Sequence, residues 1–324
     1  MDLRQEIEDK LKQLAGHASA QGIAAAVRHI AVAENRLARG RLDREEDYFN
    51  DVVYRTNQAF EGILKEAYRV LTGRDISGLT PAEIENHLTE EKIFPARVSQ
   101  LFKNYRQEWR NKSTHDHTLF FKEQEALLAI VSVSAFFTIL LDQIIQVVSK
   151  EREHAEVAER KNTLQTEYRK RGTGSLREDV VTLMRLFGEE MPNLKEEAER
   201  PTEAVVLGRL RGFIEAVAPD IQAVNVGGNS AIEPDLVLVR SDEQVAIEVE
   251  LGKPNRTALD SKRLQLLRHL TALKIEDGVI FLSPRVRRQM HINTEHFQLG
   301  STTHNIHVVS PVPTAEERQR RVAY

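Results

Sequence analysis

The hydrophobic positions in the first half of the chain recur every three or four residues, which is the period of an amphipathic helix. The stretch from Phe49 to Leu71 shows this period most clearly, and Gly73 follows it as a stop signal. Similar helical stretches continue up to about residue 148. We therefore expect residues 1–150 to form an all-α helical bundle.

The pattern changes after about residue 200, where short apolar runs alternate with helical stretches. The predicted order is a helix over 202–218, strands over 221–226, 235–239 and 245–251, a helix over 257–274 and a strand over 278–282. Leu236 to Val239 is apolar at every position, which favours a strand covered on both faces. Residues 201–324 are therefore predicted to form an α/β domain.

The segment between these two parts, residues 151–200, begins with a stretch that is dense in charge and poor in large apolar side chains. Gly172, Gly174 and Ser175 lie within it and indicate a flexible joint. We interpret the segment as a charged helical connector between the two domains.

Composition narrows the function classes further. The chain has no cysteine, which excludes disulfides, thiolate catalysis and zinc or iron-sulfur sites built on cysteine. The formal net charge of -4 excludes a basic field over the whole molecule. The most apolar run, residues 127–141, is only fifteen residues long and contains hydroxyl side chains, so it is predicted to be a buried helix rather than a membrane span. These features favour a cytoplasmic protein that does not associate with membranes.

Three acidic residues interrupt the apolar strands of the second domain. Asp235 lies at the mouth of one strand, and Glu248 and Glu250 share a face of the next because side chains alternate along a strand. A solvated hairpin would also carry carboxylates, but carboxylates that converge on a central strand repel one another unless a cation compensates them. Hard oxygen ligands suit Mg²⁺ or Mn²⁺, so the pattern predicts a divalent-metal site.

The order of elements, with Pro234-Asp235, a spacer of twelve residues and then Glu248-Val249-Glu250, resembles the PD-(D/E)xK nuclease superfamily over about residues 202–283. The resemblance implies a restriction-endonuclease-like fold with a central mixed sheet and a nucleic-acid substrate, either DNA or RNA. It also implies that Asp235 and Glu248, with the Val249 carbonyl, bind Mg²⁺ or Mn²⁺.

This chain departs from that family at Glu250, which stands where lysine is usual. In some working members of the family a glutamate at this position acts as a base or an extra metal ligand, so the resemblance makes Glu250 a catalytic candidate. Lys262 on the following helix and Lys253 just after the strand are candidates for a lysine that has moved. Glu203 or Glu215 on the preceding helix is a candidate for the further acid that family members often carry there.

A second motif lies in the helical half, where Arg110 and Asn111 are followed by His115. By itself this spacing also fits a helix-capping histidine beside a solvated arginine. Its position between two long helices resembles the R-x(4-6)-H signature of HEPN domains. The resemblance implies metal-independent RNA cleavage, in which Arg110 binds the scissile phosphate and His115 assists proton transfer, and a homodimer through the helical domain. Asn57 and Glu61 are candidate supports for this motif.

The sequence therefore predicts a two-domain nuclease that hydrolyses phosphodiester bonds at a metal-dependent C-terminal site. A role in prokaryotic defence follows from the resemblance alone. One alternative is a HEPN ribonuclease whose C-terminal domain only binds nucleic acid. The other alternative is a non-enzymatic dimeric adaptor.

Overall fold

The structure is a computed structural model that describes residues 2–91, 93, 96–111, 120–171, 174–191, 201–224, 233–252, 255–284, 287–300 and 302–313. The chain divides into two compact units, with the boundary between Val148 and Ser149. The first unit is helical, and the second contains a mixed six-stranded sheet together with helices. This confirms a helical part followed by an α/β part.

The helical unit is built from long amphipathic helices. Its elements are α1 (Leu3–Lys12), α2 (Ala20–Asp43), α3 (Asp47–Thr72), α4 (Pro81–Glu90), α5 (Ala96–Tyr105), a π-helix (Arg106–Asn111) and α6 (Glu123–Ala158), of which α6 continues past the unit boundary. Thr80 and Glu83 form a reciprocal capping box at the start of α4. Gly73, which the sequence predicts to stop this helix, ends α3 in the left-handed conformation.

The apolar helix predicted over residues 127–141 lies within α6. In the part of the chain that the structure describes, α6 is the one helix long and apolar enough to cross a membrane, and 56% of its most apolar window is buried inside the protein. Phe136 and Phe137 are among its buried side chains, and Phe136 packs against the rings of Phe60, Phe102 and Tyr105. These contacts are those of a core helix.

The second unit combines helices and strands in alternation. Its elements after α6 are α7 (Lys161–Arg171), α8 (Leu176–Glu190), α9 (Glu203–Val217), β1 (Gln222–Val224), β2 (Leu236–Arg240), β3 (Glu243–Leu251), α10 (Arg256–Leu273), β4 (Asp277–Ser283), β5 (Met290–Leu299) and β6 (Thr302–Pro311). The order of elements from α9 to β4 is the one that the sequence predicts.

The sheet has the strand order β1-β2-β3-β4-β6-β5. The β3-β4 and β4-β6 pairs are parallel and the other pairs are antiparallel. One face packs against α8 and α9, through side chains such as Ile247 and Phe281. The other face packs against α10, through Ala246 and Ile280 among others. Because Glu248 and Ala246 are two residues apart on β3, Glu248 faces α10.

Three elements of this unit were not predicted as such. Helix α8 lies inside the segment interpreted as a connector, yet Leu183 and Phe187 are buried in the core with the strands of the sheet. Strands β5 and β6 fall in a region to which the sequence analysis gave no role. The second unit is therefore larger than its predicted boundary at residue 201.

Candidate active site

The predicted carboxylates Asp235 and Glu248 meet on the face of the sheet that packs against α10. Asp235 immediately precedes β2, and its Oδ2 accepts a hydrogen bond of 2.7 Å from the backbone N–H of Val249. This bond fixes the Asp235 carboxylate beside β3. The Glu248 side chain is close enough to affect the pKa of Asp235. The two carboxyl groups are thus immediate neighbours, as the sequence predicts.

Glu248 is fully buried and is surrounded by three side chains of α10. Lys262 Nζ donates a hydrogen bond to Glu248 Oε2 at 2.9 Å, and Gln265 Nε2 donates to the same oxygen at 3.4 Å. Residues 262, 265 and 269 lie on one face of α10 because they are three and four positions apart. Of these three, the sequence analysis named only Lys262.

His269 lies against the other oxygen of Glu248. Its Nδ1 is 2.8 Å from Glu248 Oε1, but neither atom makes a hydrogen bond of acceptable geometry with the described residues. Glu248 Oε1 is therefore a buried carboxylate oxygen with unused acceptor capacity. A group of this kind is costly unless a cation or a donor occupies it.

The pKa values of the cluster reflect burial and the proximity of the two carboxyl groups. Burial, followed by the charge of Asp235, raises the pKa of Glu248 to about 7, although Lys262 opposes the shift. Burial also raises the pKa of Asp235, against the lowering effect of the Val249 N–H. The pKa of His269 is lowered, chiefly by burial. The positive charge of Lys262 therefore does not fully offset the negative charge of the two neighbouring carboxylates.

Lys262 is held as a cation despite its partial burial. Burial favours the neutral amine, but the hydrogen bond to Glu248 and the charges of Glu248, Asp235 and Glu203 outweigh it, so the pKa of Lys262 is raised. The charge of Glu203, at the start of α9, also contributes to the raised pKa of Glu248. Glu203 is therefore close enough to interact electrostatically with the cluster. Glu215, the other candidate on α9, instead pairs with Lys150 at 2.8 Å.

The predicted convergence of three carboxylates is not seen. Glu250 is two residues beyond Glu248 on the same strand, is partly exposed, and has no hydrogen bond or ion pair with the described residues. No group of three His, Cys, Asp or Glu side chains arranged to hold a metal ion occurs in the described ranges. Lys253 lies outside them. Lys262 is therefore the lysine that the structure places at the carboxylates.

The second motif is only partly within the described structure. Arg110, in the π-helix, donates a hydrogen bond of 2.9 Å from Nε to Glu61 Oε1 on α3, and its Nη1 donates to Asn111 Oδ1 at 3.2 Å. Asn57 is buried on the same helix and accepts a hydrogen bond from the Tyr105 hydroxyl at 3.3 Å. His115 lies outside the described residues. Glu61 is thus in contact with Arg110, as predicted.

Comparison of the chain with protein-family models, with curated proteins and with solved structures gave no match.

Proposed function

We propose that the chain is a metal-dependent nuclease whose active site lies at Asp235, Glu248 and Lys262, with a PD-(D/E)xK-like arrangement. The observation that carries the proposal is the meeting of the buried Glu248 carboxylate and the half-buried Asp235 carboxylate with a lysine from the adjacent helix. Carboxylates with raised pKa values beside a partly buried cation are typical of catalytic sites. The absence of lysine at position 250 is compensated by Lys262, which reaches the carboxylates from α10.

The donor set fits a hard divalent cation. Asp235 and Glu248, with the backbone carbonyl of Val249, offer oxygen ligands of the kind that Mg²⁺ and Mn²⁺ prefer. Glu248 Oε1 has unused acceptor capacity, and repulsion from Asp235 contributes to the raised pKa of Glu248. Both features indicate that the protein itself does not fully compensate the negative charge of the carboxylates. When bound, the ion would supply charge neutralisation at the scissile phosphate and a more acidic bound water.

The remaining roles belong to the side chains of α10 and α9. Lys262 carries a positive charge next to the carboxylates and would stabilise negative charge that develops on the phosphate. Gln265 donates to Glu248 Oε2 and His269 lies against Oε1, so the two side chains limit the orientation of the Glu248 carboxylate. Glu203 adds negative charge at the edge of the cluster, which favours cation binding.

A second candidate function is metal-independent RNA cleavage in the helical unit, which would be HEPN-like. The observation that favours it is the fixed position of Arg110, which Glu61 holds in a π-helical segment. Insertions of π-helix are frequent at functional sites. In a third reading the helical unit serves only to dimerise the chain as an adaptor.

The helical unit also carries the surface on which we propose that two copies of the chain associate. Leu127, Leu128 and Val131 are exposed and lie on one face of α6, close in sequence to the exposed Phe120. Contiguous exposed apolar side chains of this kind mark association surfaces. We expect the wild-type chain to be a dimer by light scattering and the Leu128→Glu variant to be a monomer, with Glu125→Gln as a control that stays dimeric. A monomeric wild-type chain would contradict this interface.

The proposed function is tested by incubating the wild-type chain with single-stranded RNA and with double-stranded DNA, each with Mn²⁺ or with EDTA. Cleavage of at least one substrate is expected with Mn²⁺ and none with EDTA. Cleavage that is unaffected by EDTA would instead support the helical motif. The absence of cleavage with Mn²⁺ on both substrates would contradict the proposal.

A further inference from the structure

A cavity of about 460 Å³ lies at the edge of the sheet, on the face that packs against α8. Strands β5 and β6 form its floor with Thr294, His296, Asn305 and His307, and Arg171 and Arg177 line it from α7 and α8. Volumes of this order are typical of small-molecule sites.

This cavity is separate from the proposed active site. The strand register places His296, Asn305, Asp277 and Val245 in one row across β5, β6, β4 and β3. Val245 faces the core under α8 and α9, so this row lies on the face of the sheet opposite to Glu248. A ligand of the cavity would therefore not touch the carboxylates.

The polar floor of the cavity is held in place by hydrogen bonds. Thr294 Oγ1 lies 2.9 Å from His307 Nδ1, and His296 Nδ1 lies 2.7 Å from Asn305 Oδ1. Asn305 Nδ2 in turn donates to Asp277 Oδ1 at 2.8 Å. Four side chains of the floor are thus oriented before any ligand arrives, which lowers the entropic cost of binding.

His307 provides the observation that points to a missing ligand. The residue is 7% exposed, and its Nε2 is buried without a hydrogen-bond partner among the described residues. The nearest acidic atom, Asp277 Oδ1, is 3.6 Å away, beyond normal hydrogen-bond distance. When Thr294 donates to Nδ1, Nε2 carries the hydrogen; its proximity to Asp277 helps to lower the pKa of that carboxyl, but the donor makes no hydrogen bond of normal length.

The two arginines favour an anion in the cavity, although Glu178 also lines it. The nearest carboxylates are Glu189 at 3.6 Å from Arg171, and Glu178 and Asp277 at 3.6 and 4.0 Å from Arg177. These separations exceed hydrogen-bond distance, so both guanidinium groups keep donors for a ligand in spite of the acidic side chains nearby. Arg169 and Lys170 are exposed in the last turn of α7 and add positive charge beside the cavity.

We propose that this cavity binds a phosphate monoester of the size of a mononucleotide. Arg171 and Arg177 contact the phosphate, since planar guanidinium groups match phosphate oxygens in paired hydrogen bonds. Thr294, His296 and His307 supply further polar contacts. Val181 and Ile292, which also line the cavity, give the remainder of the ligand an apolar surface.

The test is calorimetric titration of the full chain with adenosine monophosphate, adenosine and inorganic phosphate. We expect the monophosphate to bind, inorganic phosphate to bind more weakly and adenosine not to bind. The double variant Arg171→Gln/Arg177→Gln is expected to lose at least about tenfold in affinity for the monophosphate, because the charge-assisted hydrogen bonds to the phosphate are lost. His307→Gln is expected to weaken binding as well.

Controls separate this inference from the proposed nuclease function. Arg268→Gln, at an exposed arginine of α10, should bind the monophosphate as the wild type does. Asp235→Asn should also bind it unchanged, so the cavity can be confirmed even if no nuclease activity is found. Equal binding of adenosine and the monophosphate, no binding to the wild type at millimolar concentration, or unchanged binding by the double variant would overturn the proposal.

Discussion

Metal-dependent cleavage by the Asp235→Asn variant is expected to fall by more than about 100-fold, because even groups that only orient a metal ligand are typically worth 10–100-fold. Asparagine keeps an oxygen that can accept from the Val249 N–H, so the local hydrogen bond survives while the charge is lost. The measurement is the initial cleavage rate with Mn²⁺. Asp242→Asn, at an exposed residue in the β2-β3 turn, is the matched control and should cut at the wild-type rate.

The same variant separates loss of function from loss of folding. Burial disfavours the charged form of Asp235 and raises its pKa, so the metal-free Asp235→Asn protein should unfold at the wild-type temperature or above it. Mn²⁺ at 100 times its dissociation constant should stabilise the wild type by about 2.7 kcal/mol and leave the variant unchanged. A variant that is as active as the wild type, or that gains the same stability from Mn²⁺, would contradict the assignment of Asp235.

Loss of the Lys262 amine is expected to have the second large effect. The Lys262→Met variant leaves the fully buried Glu248 without its cation, and removing one partner of a buried ion pair typically costs about 3–5 kcal/mol. Chemical denaturation at pH 8 measures this loss. Lys170→Met, at an exposed lysine of α7, is the control and should unfold as the wild type does.

The pH dependence of stability follows from the raised pKa of Glu248. The folded metal-free protein keeps this proton up to about pH 7, whereas the unfolded chain releases it near the ordinary glutamate value. Because the folded state then binds more protons, the free energy of unfolding falls as pH rises through this window. In Lys262→Met the pKa of Glu248 is expected to rise further, because the neighbouring cation is lost. The stability of the variant should therefore be closest to that of the wild type under mildly acidic conditions, where Glu248 is protonated.

A double variant distinguishes the ion pair from simple packing of the lysine stem. Lys262→Met/Glu248→Gln removes both charges, and it should recover most of the stability that Lys262→Met loses at pH 8. If the double variant is as unstable as Lys262→Met, the methylene stem of Lys262 rather than its charge stabilises α10, and the electrostatic account of the cluster is wrong.

Local sequence pattern was sufficient to predict the strands that carry the cluster. The alternation along Val245 to Leu251 places Glu248 on the face opposite to Ile247, and the structure confirms this arrangement. Lys262 could be named because the position of the helix after β3 was visible in the sequence. Gln265 and His269 were missed because their contact with Glu248 depends on which face of α10 packs on the sheet.

The parts that could not be predicted share a physical cause. Helix α8 has apolar residues at helical spacing, but the charged stretch preceding it suggested a solvated connector. Strand β5 lies at the sheet edge, so most of its side chains face solvent and its sequence lacks the apolar run of a buried strand. In both cases burial is decided by contacts with distant segments, not by local composition.

The central claim is that the chemistry takes place at the carboxylates of the second unit rather than at the helical motif. The most direct measurement compares cleavage rates of the wild type, Asp235→Asn and His115→Ala on the same substrate, with Mn²⁺ and with EDTA. The account predicts that EDTA and Asp235→Asn each abolish cleavage, whereas His115→Ala retains it. Cleavage that persists in EDTA and in Asp235→Asn but is lost in His115→Ala would contradict the account and assign the reaction to Arg110 and His115.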